Sequence, residues 1–161
     1  MSDLIILADS SSDISEIKKL IHAESSLVVS FDHDFHKQLD KDKINHVESD
    51  EFLSEDDVDN IQKTAYRLIR WYDENEIQKF INYESINIGK LFHEELMDYF
   101  VKFIKSFFEI NLIYKKYPNA SFYSSPNFYK ILEIFTTNVH KLSSYSTSTK
   151  YANDNIRINF N

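Results

Sequence analysis

The chain has no cysteine, a single glycine (Gly89), two prolines and only three arginines among its 161 residues. Without cysteine there are no disulfides, thiolate metal sites, iron–sulfur clusters or thiol nucleophiles. One glycine cannot build G-x-G-x-x-G or G-x-x-x-x-G-K-[ST], so both glycine-rich phosphate cradles are missing. Arg67, Arg70 and Arg157 are the only side chains suited to bidentate phosphate contacts. Acids outnumber bases, 26 Asp+Glu against 18 Lys+Arg, for a net charge of −8. That balance repels a nucleic-acid backbone and an anionic membrane surface, so no nucleic-acid partner is expected. Long apolar runs are absent too. Leu4 to Ala8 is too short for a signal sequence and lacks a preceding basic stretch. Tyr99 to Tyr117 is broken by Lys102, Lys105, Glu109, Lys115 and Lys116, so no transmembrane segment is expected. The expected location is the cytoplasm.

What the chain has in quantity is aromatic and aliphatic volume. Hydrophobic residues make up 42%, with 13 Phe and 10 Tyr, enough to offset the entropy of ordering one domain. Leu4–Ala8 and Leu27–Phe31 are short apolar runs of the kind buried on both faces of a parallel sheet. His46–Glu48 is a weaker third strand. Ile14, Ile17, Leu20 and Ile21 recur at helical spacing between the first two. This β-α-β-α-β alternation predicts an α/β fold, Rossmann-like, with a parallel sheet flanked by helices. Ser54 caps a helix through Val58, Ile61, Ala65 and Ile69. The longest element is a mostly buried helix over about 88–117, because its polar positions form one narrow stripe. Phe100, Phe103, Phe107 and Ile110 are expected inside. Ser121–Ser124 reads as a fourth strand and Pro126 opens a helix. The organisation expected is a lobe over 1–142, a polar loop or linker over 143–155, and a final strand over 156–161 at which a longer chain has been cut.

Ligands of an open parallel sheet bind outside the carboxyl ends of its strands. Three strand ends carry polar clusters: Asp9-Ser10-Ser11-Ser12, Asp32-His33-Asp34 and Ser124-Ser125-Pro126-Asn127. The fold would bring them to one rim. His33 and Asp9 are the candidate bases, since a histidine among carboxylates suits proton abstraction from a hydroxyl. Ser10, Ser11, Asp32, Asp34, Ser124, Ser125 and Asn127 are the candidate substrate-binding groups. The bland alternative is that these Ser and Asp residues only cap helices. Asp32–His36 is the densest group of potential metal ligands, yet it shows no distant partner in the sequence, so no metal and no cofactor are expected. A nuclease of the PIN type would need further acids where Ser124 and Ser125 stand, and no G-x-S-x-G elbow exists for a serine nucleophile.

Phe52-Leu53-Ser54-Glu55-Asp56-Asp57, Ala65, Arg70-Trp71-Tyr72 and Tyr83–Leu91 together resemble the N-terminal lobe of GT-B-like proteins of surface-polysaccharide biosynthesis. These include glycosyltransferases and glycerophosphotransferase-type enzymes, and the resemblance covers most of 1–135. It implies an acceptor-side lobe, inactive alone. The partners it implies are a glycan or lipid-linked acceptor and a C-terminal donor-binding lobe of the same polypeptide. Where such lobes commonly carry a glycine-rich loop after strand 1, this chain has Asp9–Asp13. The other expectation is a non-catalytic α/β interaction domain that forms a homodimer or binds a partner through its long aromatic helix.

Overall fold

The structure is a computed structural model that describes residues 4–23 and 26–143. Strand β1 (Leu4–Ala8) leads into helix α1 (Ile14–Ala23), β2 (Ser26–Ser30), α2 (His33–Lys41) and β3 (Val47–Glu48). A helical excursion follows: α3 (Glu55–Ile69), α4 (Asn75–Ile81), a hairpin of β4 (Asn82–Tyr83) and β5 (Ile86–Asn87), and α5 (His93–Lys116). The chain then returns through β6 (Ser121–Ser124), α6 (Pro126–Leu132) and β7 (Val139–Lys141). Five strands form one parallel sheet in the order β3-β2-β1-β6-β7, the expected Rossmann-like α/β architecture flanked by helices.

Strand β1 sits at the centre because it alone is apolar at every position. Leu4 pairs with Ser26 on one side and Ser121 on the other, and the ladders run on to Ala8–Ser30 and Leu7–Ser124. Alternate side chains go to opposite faces. Leu4, Ile6 and Ala8 pack with Ile17, Phe35 and Leu39, under α1 and α2. Ile5 and Leu7 pack with Ile110, Ile113, Phe122 and Leu132, under α5 and α6. A period-2 strand thus serves two cores at once.

The capping signals are used as written. Ser54 and Asp57 form a reciprocal capping box on α3, and the Asp32 carboxylate accepts from the Phe35 N–H to cap α2. Two differences from the sequence reading stand out. The long helix is a 24-residue α-helix with a 3₁₀ lead-in over Ile88–Phe92. Its full burial begins at Ile104, whereas Phe103 is 42% exposed, not interior as expected. Conversely Glu109, which the pattern puts on the polar stripe, is buried, while Phe100 and Phe107 are half-buried and Ile110 fully so. The second difference is β7, a strand within a stretch where the residue pattern predicts no element. The linker and strand expected over 143–155 and 156–161 lie outside the described residues, apart from Ser143. Its N–H donates to Glu16.

The one glycine is spent on a close approach rather than a turn. A Cβ on Gly89 would lie 2.4 Å from the Cβ of Tyr72, a buried ring whose hydroxyl meets His93 Nδ1 at 2.7 Å. The hairpin turn is left to Glu84 and Ser85, which take positive φ of 48° and 69° without glycine. At its end Phe80, Tyr83, Leu91 and Phe92 are exposed.

Buried Glu109 ties the turn after β3 to α5. The Ser49 hydroxyl donates to its Oε1 at 3.0 Å, and Lys105 Nζ lies 3.2 Å away. Desolvation outweighs these contacts and pushes its carboxyl above the ordinary glutamate range. The proton is held more tightly folded than unfolded. The group's contribution to stability is therefore complete below the ordinary glutamate pKa and is lost as pH rises through the raised value. Glu109→Gln keeps an acceptor for Ser49 and removes the titration. Urea unfolding from about pH 4 to about pH 8 should show the wild type losing ground steadily to the variant. A constant difference across that range would contradict this.

Candidate functional site

In this strand order the chain runs outward from β1 in one direction to β3, then returns to β6 on β1's other edge. The carboxyl ends of β1 and β6 therefore flank the topological switch point, where open α/β sheets hold ligands. The sequence clusters meet there. Asp9 follows β1 directly and is 6% exposed. Its Oδ1 accepts from the N–H and hydroxyl of Ser11, and its Oδ2 accepts from Asn127 Nδ2 at 2.8 Å, spanning 118 residues of sequence. Asn127 Nδ2 also lies 3.4 Å from Ser11 Oγ. The Ser12 hydroxyl turns back to accept from the Asp9 N–H.

Asp32 makes the second link. One of its oxygens accepts from the Ser10 N–H at 2.7 Å while the other caps α2 at Phe35. Both its oxygens therefore point away from an orienting role beside His33. His33 and Asp34 are exposed at the start of α2, and neither makes a side-chain hydrogen bond among the described residues. Ser124 and Ser125 lie beneath the rim with no exposed surface. The Ser124 hydroxyl donates to the Ser125 carbonyl, whereas Ser125 Oγ is buried with no hydrogen-bond partner. The structure thus brings Asp9, Ser10, Ser11, Asp32 and Asn127 into one network. It sets His33 and Asp34 outside the network and the two serines below it. Asp13, at the outer end of the loop, has its carboxyl held below the ordinary range by the Ser15 hydroxyl and N–H. The rim is acidic throughout.

Next to Asn127 a groove of about 400 Å³ opens between α5 and α6. Its walls are the rings of Tyr99, Phe103 and Phe128, with Lys102 and Ser106 on the α5 side. Tyr99 and Phe103 stack with centroids 6.3 Å apart and planes within 4° of parallel. Phe128 packs in turn on Phe31, at the end of β2, with centroids 4.4 Å apart. The sequence reading missed this groove. Its signal is the i,i+4 pair Tyr99–Phe103, of which the sequence reading places Phe103 in the interior. Also missed was a group of metal-ligating type, His36, Asp40 and His46, whose third member arrives from ten residues downstream.

The Asp9–Asn127 link generates a paired expectation. Asn127→Ala leaves a nearly buried carboxylate oxygen without its donor and should cost about 1–3 kcal/mol in urea unfolding. Ser125→Ala removes a buried hydroxyl that bonds nothing, and should leave stability unchanged or raised by up to about 1 kcal/mol. The opposite ranking of the two variants would contradict the network drawn here.

No helix among the described residues is long and apolar enough to cross a membrane. No family model, curated protein or solved structure matches the chain.

Proposed function

We propose that this chain is the acceptor-side lobe of a GT-B-type glycosyltransferase of surface-glycan assembly, binding a neutral, hydroxyl-rich ligand at the switch point. The observation that carries the reading is the continuity of the Asp9–Ser11–Asn127 network with the aromatic groove of Tyr99, Phe103 and Phe128. Saccharides present apolar C–H faces to aromatic rings and hydroxyl edges to carboxylates and amides, so a site of this composition suits them. Phosphate groups find the reverse. The rim carries Asp9, Asp13, Asp32 and Asp34, while Arg67 and Arg70 lie on and just after α3. A leaving diphosphate needs helix N–H groups, Arg, Lys or a cation, which a separate donor lobe would supply.

In this reading Asp9 is the stronger candidate base. It is held in place from both oxygens and reaches the groove through Asn127, while His33 has no orienting partner among the described residues. Asn127 positions the ligand hydroxyl and the aromatic walls hold the sugar ring. A second reading, an interaction module, draws on the exposed apolar side chains of Phe80, Tyr83, Leu91 and Phe92 at the hairpin end.

Calorimetry of this chain against neutral oligosaccharides and against UDP-, GDP- and CDP-linked sugars tests the proposal. It expects no nucleotide-sugar binding, and saccharide binding weakened at least about tenfold by Phe103→Ala, an exposed wall residue. Micromolar binding of a nucleotide sugar, or saccharide binding indifferent to Phe103, would overturn it.

A further inference from the structure

A second group of chemistry-bearing side chains lies at the outer edge of the sheet, beside β3. His36 and Asp40 stand one turn apart on α2, with His36 Nε2 3.4 Å from Asp40 Oδ2. His46, on the loop entering β3, brings its Nε2 to 2.8 Å from His36 Nδ1. One ligand atom from each of the three lies within 4.8 Å of the other two. Glu48 of β3 adds a carboxylate oxygen 3.6 Å from His36 Nδ1. These residues share a face because α2 turns back at Lys43, whose φ of 55° reverses the chain and lets the Ile44 side chain enter the core.

The hydrogen bonds of the group do not close by themselves. A backbone carbonyl only accepts, so the contact of His46 Nδ1 with the Ile44 oxygen at 2.8 Å makes Nδ1 the donor. That leaves a lone pair on His46 Nε2, aimed at His36. If neutral His36 donates there from Nδ1, its own Nε2 presents a lone pair to the Asp40 carboxylate, and Glu48 lies 3.6 Å from an Nδ1 proton already given to His46. Two acceptors, His36 Nε2 and Asp40, then face one another. A divalent cation between His36 Nδ1 and His46 Nε2 relieves this, because the His36 proton then sits on Nε2, toward Asp40. A carbonyl holding the far nitrogen of a ligating imidazole is also the usual support of a histidine–metal bond.

We propose that His36 and His46, with Glu48 beside them and Asp40 on the far ring nitrogen of His36, form a site for a zinc-class transition-metal cation that ties α2 to edge strand β3. Two imidazoles and a carboxylate favour zinc or its neighbours over magnesium and calcium, which prefer all-oxygen shells. Metal–nitrogen bonds of about 2.05 Å at a tetrahedral angle place the two nitrogens about 3.3 Å apart. Opening the present Nδ1–Nε2 contact by about 0.5 Å admits the ion, with Glu48 on the same side of His36 and Asp40 left facing its far Nε2, and the loop carrying His46 lies at the surface. The cation has something to stabilise. β3 is two residues long and pairs only through Val47 and Glu48, so its hold on the sheet is slight. The site is independent of the switch-point reading, since it lies on β2's far side from β1.

The test is titration of chelator-treated chain with zinc chloride and, separately, magnesium chloride, followed by calorimetry and thermal unfolding. One zinc per chain should bind at micromolar affinity or better, and magnesium should not. The unfolding midpoint should rise by roughly 5–10 °C with zinc at about 100 times its dissociation constant. His36→Gln and His46→Gln should each weaken binding at least about 100-fold with far-UV circular dichroism unchanged. His140→Gln, on β7, should not. If either variant fails to fold, cobalt bound to the wild-type chain should still show visible bands of imidazole ligation. Absence of saturable zinc binding at about 100 μM, or stoichiometric binding that survives both substitutions, would overturn the site.

Discussion

Five consecutive residues, Leu4–Ala8, must be hydrogen-bonded along both edges and buried on both faces. All five are buried, and their ladders to β2 and β6 fix which segments lie beside them. Much of the fold follows from satisfying that one strand. Its even positions require the apolar stripe of α1 and α2, and its odd positions require α5 and α6. A parallel neighbour on each side forces the chain to leave in one direction and come back in the other. The gap between the returning β6 and β1 is then the place where Asp9 and Asn127 meet. The crevice is a consequence of where the central strand sits, and its chemistry is set by the few residues that follow the strand ends.

The long excursion between β3 and β6 is where the chain departs from economical rules. Gly89 is consumed by the Tyr72 contact, so the hairpin turn must place Glu84 and Ser85 at positive φ, costing of order 1 kcal/mol each. Glu109 is buried where an apolar residue would pack without desolvation, and is compensated only in part by Ser49 and Lys105. The same excursion delivers Tyr99 and Phe103 to the aromatic groove beside the rim. The least economical part of the structure supplies the part of the proposed site that the sheet alone lacks.

Legibility in the sequence followed burial. β1 and β6 are read without error, and β2 is displaced by one residue, because uninterrupted apolar or β-prone runs bounded by polar clusters have one good placement. The rim was legible for the same reason, since strand ends locate it. β7 escaped because Val139-His140-Lys141 offers only three residues, two of them exposed. The β4–β5 hairpin escaped because its turn carries neither Asn-Gly nor Asp-Gly. Phe103 misled because α5 is apolar around most of its surface, and periodicity cannot say which side finds a partner. His46 could not be joined to His36 from spacing alone, for the link depends on a backbone reversal at Lys43 that no glycine or proline announces. Asp40, four residues after His36, was the visible half of that signal.

The central claim is that β1 is the axis on which both cores and the crevice are hung. Native-state hydrogen exchange followed by NMR reads it residue by residue. The amides of Ile5 through Ala8 should exchange with the highest protection in the chain, near the free energy of global unfolding, while those of Asn82–Asn87 in the peripheral hairpin exchange by local opening. Protection of the β1 amides no greater than that of the hairpin would contradict the account.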